Sequence, residues 1–512
     1  MASLVALGIL FSRITGLIRQ RVFAHYFGLQ SDAADAFMAA FRIPNFLQNL
    51  FGEGALSASF IPVYASLLAR GDRREATRVA GAVGALLALV TSALVLLGVL
   101  STPFLIAVIA PGFRGAKRDL TIAIVRVLFP GAGFLVLSAW CLGVLNSHRK
   151  FLLSYTAPVI WNVSMIATLV IWGARIPLPE LALKLAWGSV FGSALQFLIQ
   201  LPAIRRLVPE LRLRLEFSKH VRTTVRNFVP VFISRGVVQI SAYIDALLAS
   251  LLPTGAVTGL ATAQLLYTLP VSLFGMSVSA AELPAMSGAA GLNATDELRA
   301  RLNNGLRQIA YFVIPSSVAF LALGDIIAAA LFQTGRFTHE DAMYVWAILA
   351  GSAVGLVAST LGRLYSSTYY ALRDTRTPLR YALIRVVLTT VLGYVCAILL
   401  PQRLGIDRLW GTAGLTASAG VSGWIEFLLL RRTLNHRIGQ TGLPLEFSTR
   451  LWMAALVSAG IAWSLKIAFT VSQPIVLAAV TLIPYGLCYF GVTFWSGIPE
   501  ARAMLARVRR RG

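Results

Sequence analysis

The sequence predicts an all-α polytopic membrane protein, and three observations lead to this fold class. Hydrophobic residues make up 57% of the 512 residues and charged residues only 13%, a composition that excludes a water-soluble globule. Apolar runs long enough to cross a hydrocarbon core of about 30 Å recur along the whole chain. These runs show no alternation of period two, so helices and not barrel strands are the expected spanning elements.

The apolar runs predict about 14 transmembrane helices, each near or above the ~20 residues that a membrane helix needs. The predicted spans are residues 3–27, 33–68, 79–109, 120–146, 153–173, 181–204, 224–252, 257–288, 306–332, 342–371, 379–400, 409–430, 449–470 and 474–495.

An internal duplication groups the first 12 of these helices into two copies of six. Pro62 comes before the basic linker Arg70–Arg78, and Pro284 comes before the linker Arg299–Arg307; both prolines are predicted to end a helix of small residues. An even number of spans makes the two copies parallel, with a site between them near mid-membrane. Chance similarity among apolar segments is the alternative explanation.

The predicted domains follow this duplication. They are an N-terminal lobe (residues 1–207, helices 1–6), a C-terminal lobe (208–437, helices 7–12), two extra C-terminal helices (438–497) and a basic cytoplasmic tail (498–512). Basic residues concentrate in alternate loops, and this positive-inside bias places both termini in the cytoplasm. Arg114, Lys117 and Arg118 are a local exception.

The formal net charge of +24 is explained by this topology and by attraction to anionic lipid headgroups, and we expect no nucleic-acid partner. The chain has neither a phosphate-binding loop motif nor the ligand spacing of a metal site, so no cofactor and no metal are expected. Cys141, Cys396 and Cys488 lie inside apolar runs and are predicted to be core residues. The internal arginines of the first apolar segment predict that it persists as the first helix.

Charged side chains interrupt the first two apolar segments. Arg13, Arg19 and Arg21 fall within the first segment, and Asp35 and Arg42 follow in the second. Each charge at membrane depth costs roughly 2.5 to 3.5 kcal/mol on insertion scales, so such residues usually face a bundle interior or a water-filled cavity along the path of a substrate. A cavity lined by arginines predicts an anionic cargo.

The second segment combines charge with helix-breaking residues. Asp35 and Arg42 are seven residues apart and share one helix face, and Pro44 leaves backbone carbonyls without a donor, which predicts a kink. Gly52-Glu53-Gly54 is weakly helical and small, so it predicts a hinge, with close helix packing as the alternative. Asp35 and Arg42 are interpreted either as a buried ion pair that fixes helix orientation or as part of the transport path.

The second copy carries its own polar set within or near apolar runs: Arg235, Gln239, Asp245 and Glu282. Arg235 and Gln239 are four residues apart and share a helix face. A purely structural network is one interpretation. Their place in helices equivalent to the charged first pair favours the other, in which they line the cavity.

At these residues the sequence resembles the MurJ (MviN) family of lipid II flippases, within the multidrug/oligosaccharidyl-lipid/polysaccharide exporter superfamily. The resemblance covers essentially the whole chain. The matching motifs are Phe11-Ser-Arg-Ile-Thr-Gly-Leu-Ile-Arg19, Asp35-Ala-Phe, Arg42-Ile-Pro-Asn45, Phe51-Gly-Glu-Gly-Ala-Leu-Ser, Ala110-Pro-Gly-Phe113, the stretch from Gln239-Ile-Ser to Leu269-Pro270, and Leu273-Phe-Gly.

The resemblance implies a transporter, not an enzyme. It implies a flippase of the bacterial cytoplasmic (inner) membrane that moves lipid II from the cytoplasmic to the periplasmic leaflet for cell wall biogenesis. The implied mechanism is alternating access of two six-helix lobes without nucleotide hydrolysis. The implied partners are lipid II, membrane lipids and, as a further candidate, the cell-wall synthesis machinery. The two extra helices would form a groove for the polyprenyl tail.

The resemblance also assigns site residues. Arg13 and Arg19 match the family arginines that line the central cavity and contact the cargo pyrophosphate, and Arg42 and Arg235 are further candidates for this role. Arginine forks bind phosphate oxygens bidentately, which fits the assignment. The family aspartate of the second helix maps to Asp35.

The hinge of the family maps to Gly52-Glu53-Gly54, with Pro44 as a further hinge candidate. The acid of this hinge is therefore Glu53. Together with Asp35, Asp245 and Glu282 it is a candidate proton or cation site for coupling.

Several positions depart from the family pattern. Gln20 stands where the family usually has an acid, Gln48 and Asn49 stand where it commonly has arginine, and Leu265 stands where the eighth helix usually presents a cavity arginine. We hypothesise that Arg235 supplies the lost positive charge. These departures keep a second function open, an ion-coupled exporter of another polyprenyl-linked glycan or of small molecules.

Overall fold

A computed structural model describes the backbone of residues 2–51, 53–292, 294–469 and 473–509. It describes their side chains except at residues 2–9, 44, 53–55, 57–58, 230–231, 233–242 and 505–509. Over the described backbone the chain is helical, and apart from one isolated bridge between Thr334 and Phe337 it contains no β-pairing. The predicted all-α fold class is confirmed.

The described residues contain 11 helical segments that are long and apolar enough to span a membrane, so the protein is a multi-pass membrane protein. The first two predicted spans and the seventh are not among these segments, although they too are helical. All three include residues that lie outside the described part of the chain. The count of about 14 stays a prediction.

Contacts between Cα atoms divide the chain into two compact units. Unit 1 comprises residues 1–258 and 334–337. Its helices are α1 (Ala2–Phe27), α2 (Asp32–Phe51), α3 (Glu53–Ala69), α4 (Arg73–Ile109), α5 (Gly115–Ser147), α6 (Phe151–Trp172), α7 (Leu178–Leu198), α8 (Leu201–Leu207) and α9 (Lys219–Ser250).

Unit 2 comprises residues 259–333 and 338–512. Its helices are α10 (Ala256–Pro270, which begins in unit 1), α11 (Ser277–Gly291), α12 (Thr295–Phe332), α13 (His339–Ala371), α14 (Arg376–Tyr394), α15 (Leu400–Leu404), α16 (Gly411–Ile438), α17 (Leu445–Ala468), α18 (Pro474–Trp495) and α19 (Pro499–Arg509). Short π-helical turns, Val271–Met276 and Val395–Leu399, follow α10 and α14.

The core of unit 1 lies where α3, α4 and α5 meet. Phe60, Tyr64, Trp140 and Cys141 are buried there, and the Trp140 indole N–H donates to the Ala80 carbonyl across 3.2 Å. Helix α9 packs on α2, α3 and α4, which is why the contacts assign it to unit 1. The predicted lobe boundary after residue 207 rests on the duplication instead and stays a prediction.

In unit 2 small residues bring α13 and α16 close together. A methyl group on Gly355 would lie 2.4 Å from the Gly420 Cα, so any side chain at this position would separate the two backbones. Close approach through small residues is the usual means of helix association in lipid, where burial of apolar surface gives no net drive.

The second of the two extra C-terminal helices, α18, is hydrogen-bonded to α12 through two tyrosines. Pro315 has no N–H, so the carbonyl of Tyr311, one turn earlier, lacks its helical donor. The Tyr489 hydroxyl donates to that carbonyl across 2.7 Å, and the Tyr485 hydroxyl donates to the Pro315 carbonyl across 2.7 Å.

The prediction that Pro62 and Pro284 end their helices is wrong. Pro62 lies inside α3 and Pro284 inside α11, each seven residues before the last helical residue. Prolines are tolerated inside membrane helices because neighbouring helices, side chains and local adjustments satisfy the freed backbone groups.

Candidate functional site

Arg19 on α1 lies among aromatic and sulfur-containing side chains. Its guanidinium carbon is 5.0 Å from the centre of the Phe41 ring and 5.5 Å from that of Trp161, and the two rings stack on each other. One guanidinium nitrogen is 3.9 Å from the Met165 sulfur. Among the described residues no carboxylate pairs with Arg19. The site thus holds the cation by ring faces and one weak contact to sulfur, and it leaves the remaining hydrogen-bond donors for an anion.

A small cavity adjoins Arg19. Its volume of about 20 Å³ is room for about one water molecule. It lies between α1, α2, α6 and α7, and it is lined by Arg19, Gln20, Phe23, Phe37, Met38, Phe41, Met165, Leu169 and Leu185. Gln20 is the polar residue that stands where the family has an acid, so the cation has no built-in counter-charge at this position.

The other two described arginines of the predicted set differ in environment. Arg13 is exposed. Arg42 is partly buried, and one of its guanidinium nitrogens, Nη2, is buried without a hydrogen-bond partner. Asp245 on α9 lies close enough to act on Arg42 electrostatically, and the neighbouring Tyr243 hydroxyl donates to the Arg42 carbonyl across 2.9 Å. The structure therefore brings Arg42 and Asp245 together.

Asp35 is 1% exposed and has a full set of donors. Its Oδ2 accepts from the Lys117 ammonium at 2.8 Å and from the Gly255 amide at 2.9 Å. Its Oδ1 accepts from the amide of Thr258 at 2.9 Å and from the hydroxyl of the same residue at 2.7 Å. The carboxylate thus satisfies backbone amides at the start of α10, where a helix leaves its first N–H groups free and its dipole favours negative charge.

The interpretation of Asp35 and Arg42 as an ion pair is wrong, because Lys117 takes that place. Seven residues put two side chains on one helix face but do not decide which neighbouring helix supplies the partner. Sequence analysis missed the role of Lys117, and the signal was available: it belongs to the basic cluster that departs from the alternate-loop pattern. Trp161 and Met165, which surround Arg19, were also missed, since no pattern distinguishes them from ordinary core residues.

The remaining predicted site residues are dispersed. Glu282 lies on α11 of unit 2, where one of its oxygens is 3.8 Å from an Arg301 nitrogen. The side chains of Arg235, Gln239, Glu53 and the hinge residues Pro44 and Gly54 lie outside the described part, as does Gly52 altogether. No cluster of three or more His, Cys, Asp or Glu residues that fits a metal ion occurs among the described residues.

Comparison with known proteins agrees with the geometry. The family model described as "Lipid II flippase MurJ" matches residues 23–485. The "Lipid II flippase MurJ" of Burkholderia cenocepacia is 32% identical over 508 residues, which cover 96% of this chain and 96% of the relative. The "Probable lipid II flippase MurJ" of Vibrio cholerae serotype O1 is 31% identical over 508 residues, 96% of this chain and 93% of the relative.

Solved structures share the fold. "Lipid II flippase MurJ, inward closed conformation" aligns with a TM-score of 0.78 at 24% identity and covers 97% of this chain and 99% of its own. An inward-facing multidrug resistance MATE family transporter of the MOP superfamily aligns with a TM-score of 0.68 at 17% identity, over 83% of this chain and 95% of its own. Because a family model and relatives above 30% identity span nearly the whole chain, this protein belongs to the MurJ family of lipid II flippases.

Proposed function

We propose that this protein moves lipid II from the cytoplasmic to the periplasmic leaflet of the bacterial inner membrane, as a step of cell wall biogenesis. The observation that carries the proposal is Arg19, a membrane-depth cation in a cavity with no carboxylate partner among the described residues. An uncompensated cation within a membrane helix is costly unless a ligand supplies the opposite charge. The pyrophosphate of lipid II is such a ligand.

Arg13 and Arg42 extend this cationic surface in our proposal, with Arg235 as a fourth pyrophosphate contact. Family membership supports the same assignment for the first two, because both lie in motifs shared with the family. Transport proceeds by alternating access of the two lobes, with Pro44 and Gly52-Glu53-Gly54 as hinge. Both termini lie in the cytoplasm, and the extra helices α17 and α18 hold the polyprenyl tail. The cell-wall synthesis machinery is a candidate partner.

Transport needs no nucleotide hydrolysis in this proposal, and the sequence offers no phosphate-binding loop. The membrane potential or a bound cation supplies the drive, since one charge crossing the membrane is worth about 2.3 kcal/mol per 100 mV. Glu53, Asp245 and Glu282 are the candidate coupling acids. Asp35 is a weaker candidate, because its four donors from the Lys117, Gly255 and Thr258 groups leave it little room for a further cation.

The test is complementation of a bacterium depleted of its own lipid II flippase, with periplasmic exposure of labelled lipid II as the readout. Wild type should restore exposure, Arg19→Ala should lose it at normal expression, and Arg403→Ala, the same change at an exposed arginine, should behave as wild type. Failure of wild type to restore exposure would refute the lipid II assignment. It would favour a different polyprenyl-linked glycan, for which the residues Gln48, Asn49 and Leu265 already argue.

A further inference from the structure

One face of α13 in unit 2 is polar where a lipid-facing helix would be apolar. Arg363, Ser366, Ser367 and Tyr370 follow one another at helical spacing, and all four side chains are exposed or partly exposed. A methyl group on the adjacent Gly362 would meet no atom of a neighbouring element within 4 Å. Arg363 itself is exposed, so the surface around these two residues is open.

Helix α18 of the same unit shows the contrast. Its most exposed positions within the membrane are apolar: Ile475, Ile483 and Leu487. Polar side chains on a membrane-length helix face a water-filled cavity or other protein, because contact with hydrocarbon leaves their polar groups unsatisfied. The polar face of α13, with Arg363 as its cation, is therefore suited to contact with water or a polar partner and not with lipid.

The neighbours of Arg363 leave this cation unneutralised. Arg385 on α14, Glu426 on α16 and Tyr267 on α10 lie within electrostatic range of Arg363. Glu426 is the acid of the group, and its Oε2 is 3.0 Å from the Nη1 of Arg385. Among the described residues Arg363 itself forms no hydrogen bond and no ion pair. The cluster contains two guanidinium groups and one carboxylate, so it carries a net charge of about +1 at neutral pH.

We propose that Arg363 binds an oxyanion of the cargo, a phosphate or a carboxylate, from the wall of unit 2. The proposal rests on the proposed function, and it names a cargo contact in the second half of the chain. Its guanidinium offers a planar fork of donors that matches either oxyanion. Tyr267 on α10 lies within electrostatic range of Arg363, so Arg363 adds positive charge beside the helix that lacks the arginine typical of the family.

Arg363 thereby supplies a further positive charge besides Arg235, to which sequence analysis assigned the compensating role. The two assignments are independent, since the Arg235 side chain lies outside the described part of the chain. The distinguishing feature of Arg363 is the acid beside it: Glu426 competes with the cargo for the positive charge of the cluster. Removal of this acid should therefore strengthen binding, whereas removal of the arginine should weaken it.

The experiment measures binding to the purified full-length protein in lipid nanodiscs, with lipid II and undecaprenyl pyrophosphate as separate probes. Arg363→Gln should weaken binding about 10-fold or more, the effect of losing a hydrogen bond to a charged group. Glu426→Gln should tighten binding, because it frees Arg385. Arg403→Gln, the same change at an exposed surface arginine, should leave binding unchanged.

The two probes identify the anion. An equal loss for both probes in Arg363→Gln assigns the contact to the pyrophosphate, and a loss for lipid II alone assigns it to the carboxylates of the peptide. Unchanged binding in Arg363→Gln overturns the inference. Equal weakening by Arg363→Gln and Glu426→Gln also overturns it, because a purely structural network would give that result. In both cases the proposed function stands. Wild type that binds neither probe overturns both. If Arg363→Gln does not fold, Glu426→Gln decides: tighter binding supports the inference, and any other result overturns it.

Discussion

At the scale of single residues, two charges of unit 1, the buried Asp35 and the partly buried Arg19, have opposite surroundings. Asp35 accepts four hydrogen bonds and pairs with Lys117, whereas Arg19 contacts ring faces and a thioether. A satisfied charge stabilises the fold, and a charge without a partner inside the protein is available to a ligand. We therefore assign a structural role to Asp35 and a role in cargo binding to Arg19.

Replacement of Asp35 by Asn should destabilise the protein by about 3–5 kcal/mol, because it leaves the Lys117 ammonium, which is 12% exposed, without its buried partner. Asp32→Asn is the matched control. Asp32 is 3.1 Å from the same ammonium but 62% exposed, so its loss should cost less than about 1 kcal/mol. Unfolding of the two purified variants measures the difference. Equal costs would contradict a structural role for Asp35.

At the scale of elements, α12 and α18 are joined by a hydrogen bond that a proline makes necessary. Tyr489→Phe should cost about 1–3 kcal/mol, since it leaves the buried Tyr311 carbonyl without a donor. Pro315→Ala in the same chain should recover much of this loss, because alanine restores the missing N–H. Tyr485→Phe is the control and should cost less, as the Pro315 carbonyl also has its helical donor one turn later.

Thermal unfolding of these variants in detergent measures the effect. If Pro315→Ala fails to recover the loss in Tyr489→Phe, the interaction between the proline and the tyrosine is not the one we describe.

The connection between α13 and α14 is fixed by Asp374. Burial raises the pKa of Asp374, but hydrogen bonds from Thr377 and the Arg437 guanidinium, 2.6 Å away, lower it to about 2. An unfolded aspartate has a pKa of about 3.9. Because the folded pKa is the lower one, the stabilisation is complete above pH ~4 and is lost as the pH falls toward 2.

The stability of the wild type should therefore fall as the pH is lowered from about 4 to 2. Asp374→Asn lacks this stabilisation at every pH, so its stability should not show the same fall. Unfolding temperatures measured over this range test the prediction. Parallel pH profiles for the two proteins would contradict the prediction, because they would show that these contacts do not stabilise the ionised form of Asp374.

At the scale of the whole molecule, the alternate-loop charge bias makes a prediction about sidedness. In a chain with Cys141, Cys396 and Cys488 replaced, Arg175→Cys should react with a membrane-impermeant maleimide in intact cells. Arg74→Cys should react only after permeabilisation, because its loop is predicted to be cytoplasmic. Both arginines are exposed, so access to solvent does not distinguish them. The reverse labelling pattern would contradict the predicted orientation.

Sequence patterns predicted the helices well where they were apolar. The predicted spans 153–173 and 474–495 correspond to α6, Phe151–Trp172, and α18, Pro474–Trp495. The sequence patterns were less informative about helix ends at proline, since Pro62 and Pro284 do not end their helices. For the site, it identified the charged helices but misassigned the partner of Asp35, because helical spacing reports neighbours on one element only.

By itself, the sequence determined that this chain is an all-helical membrane protein, because lipid forces the backbone to satisfy its hydrogen bonds within each span. Shared motifs also determined its family. Only the tertiary structure decided which charges are satisfied, since Lys117 reaches Asp35 from 82 residues away and the aromatic setting of Arg19 comes from two other helices. Such contacts depend on helix packing, which leaves no local pattern in the sequence.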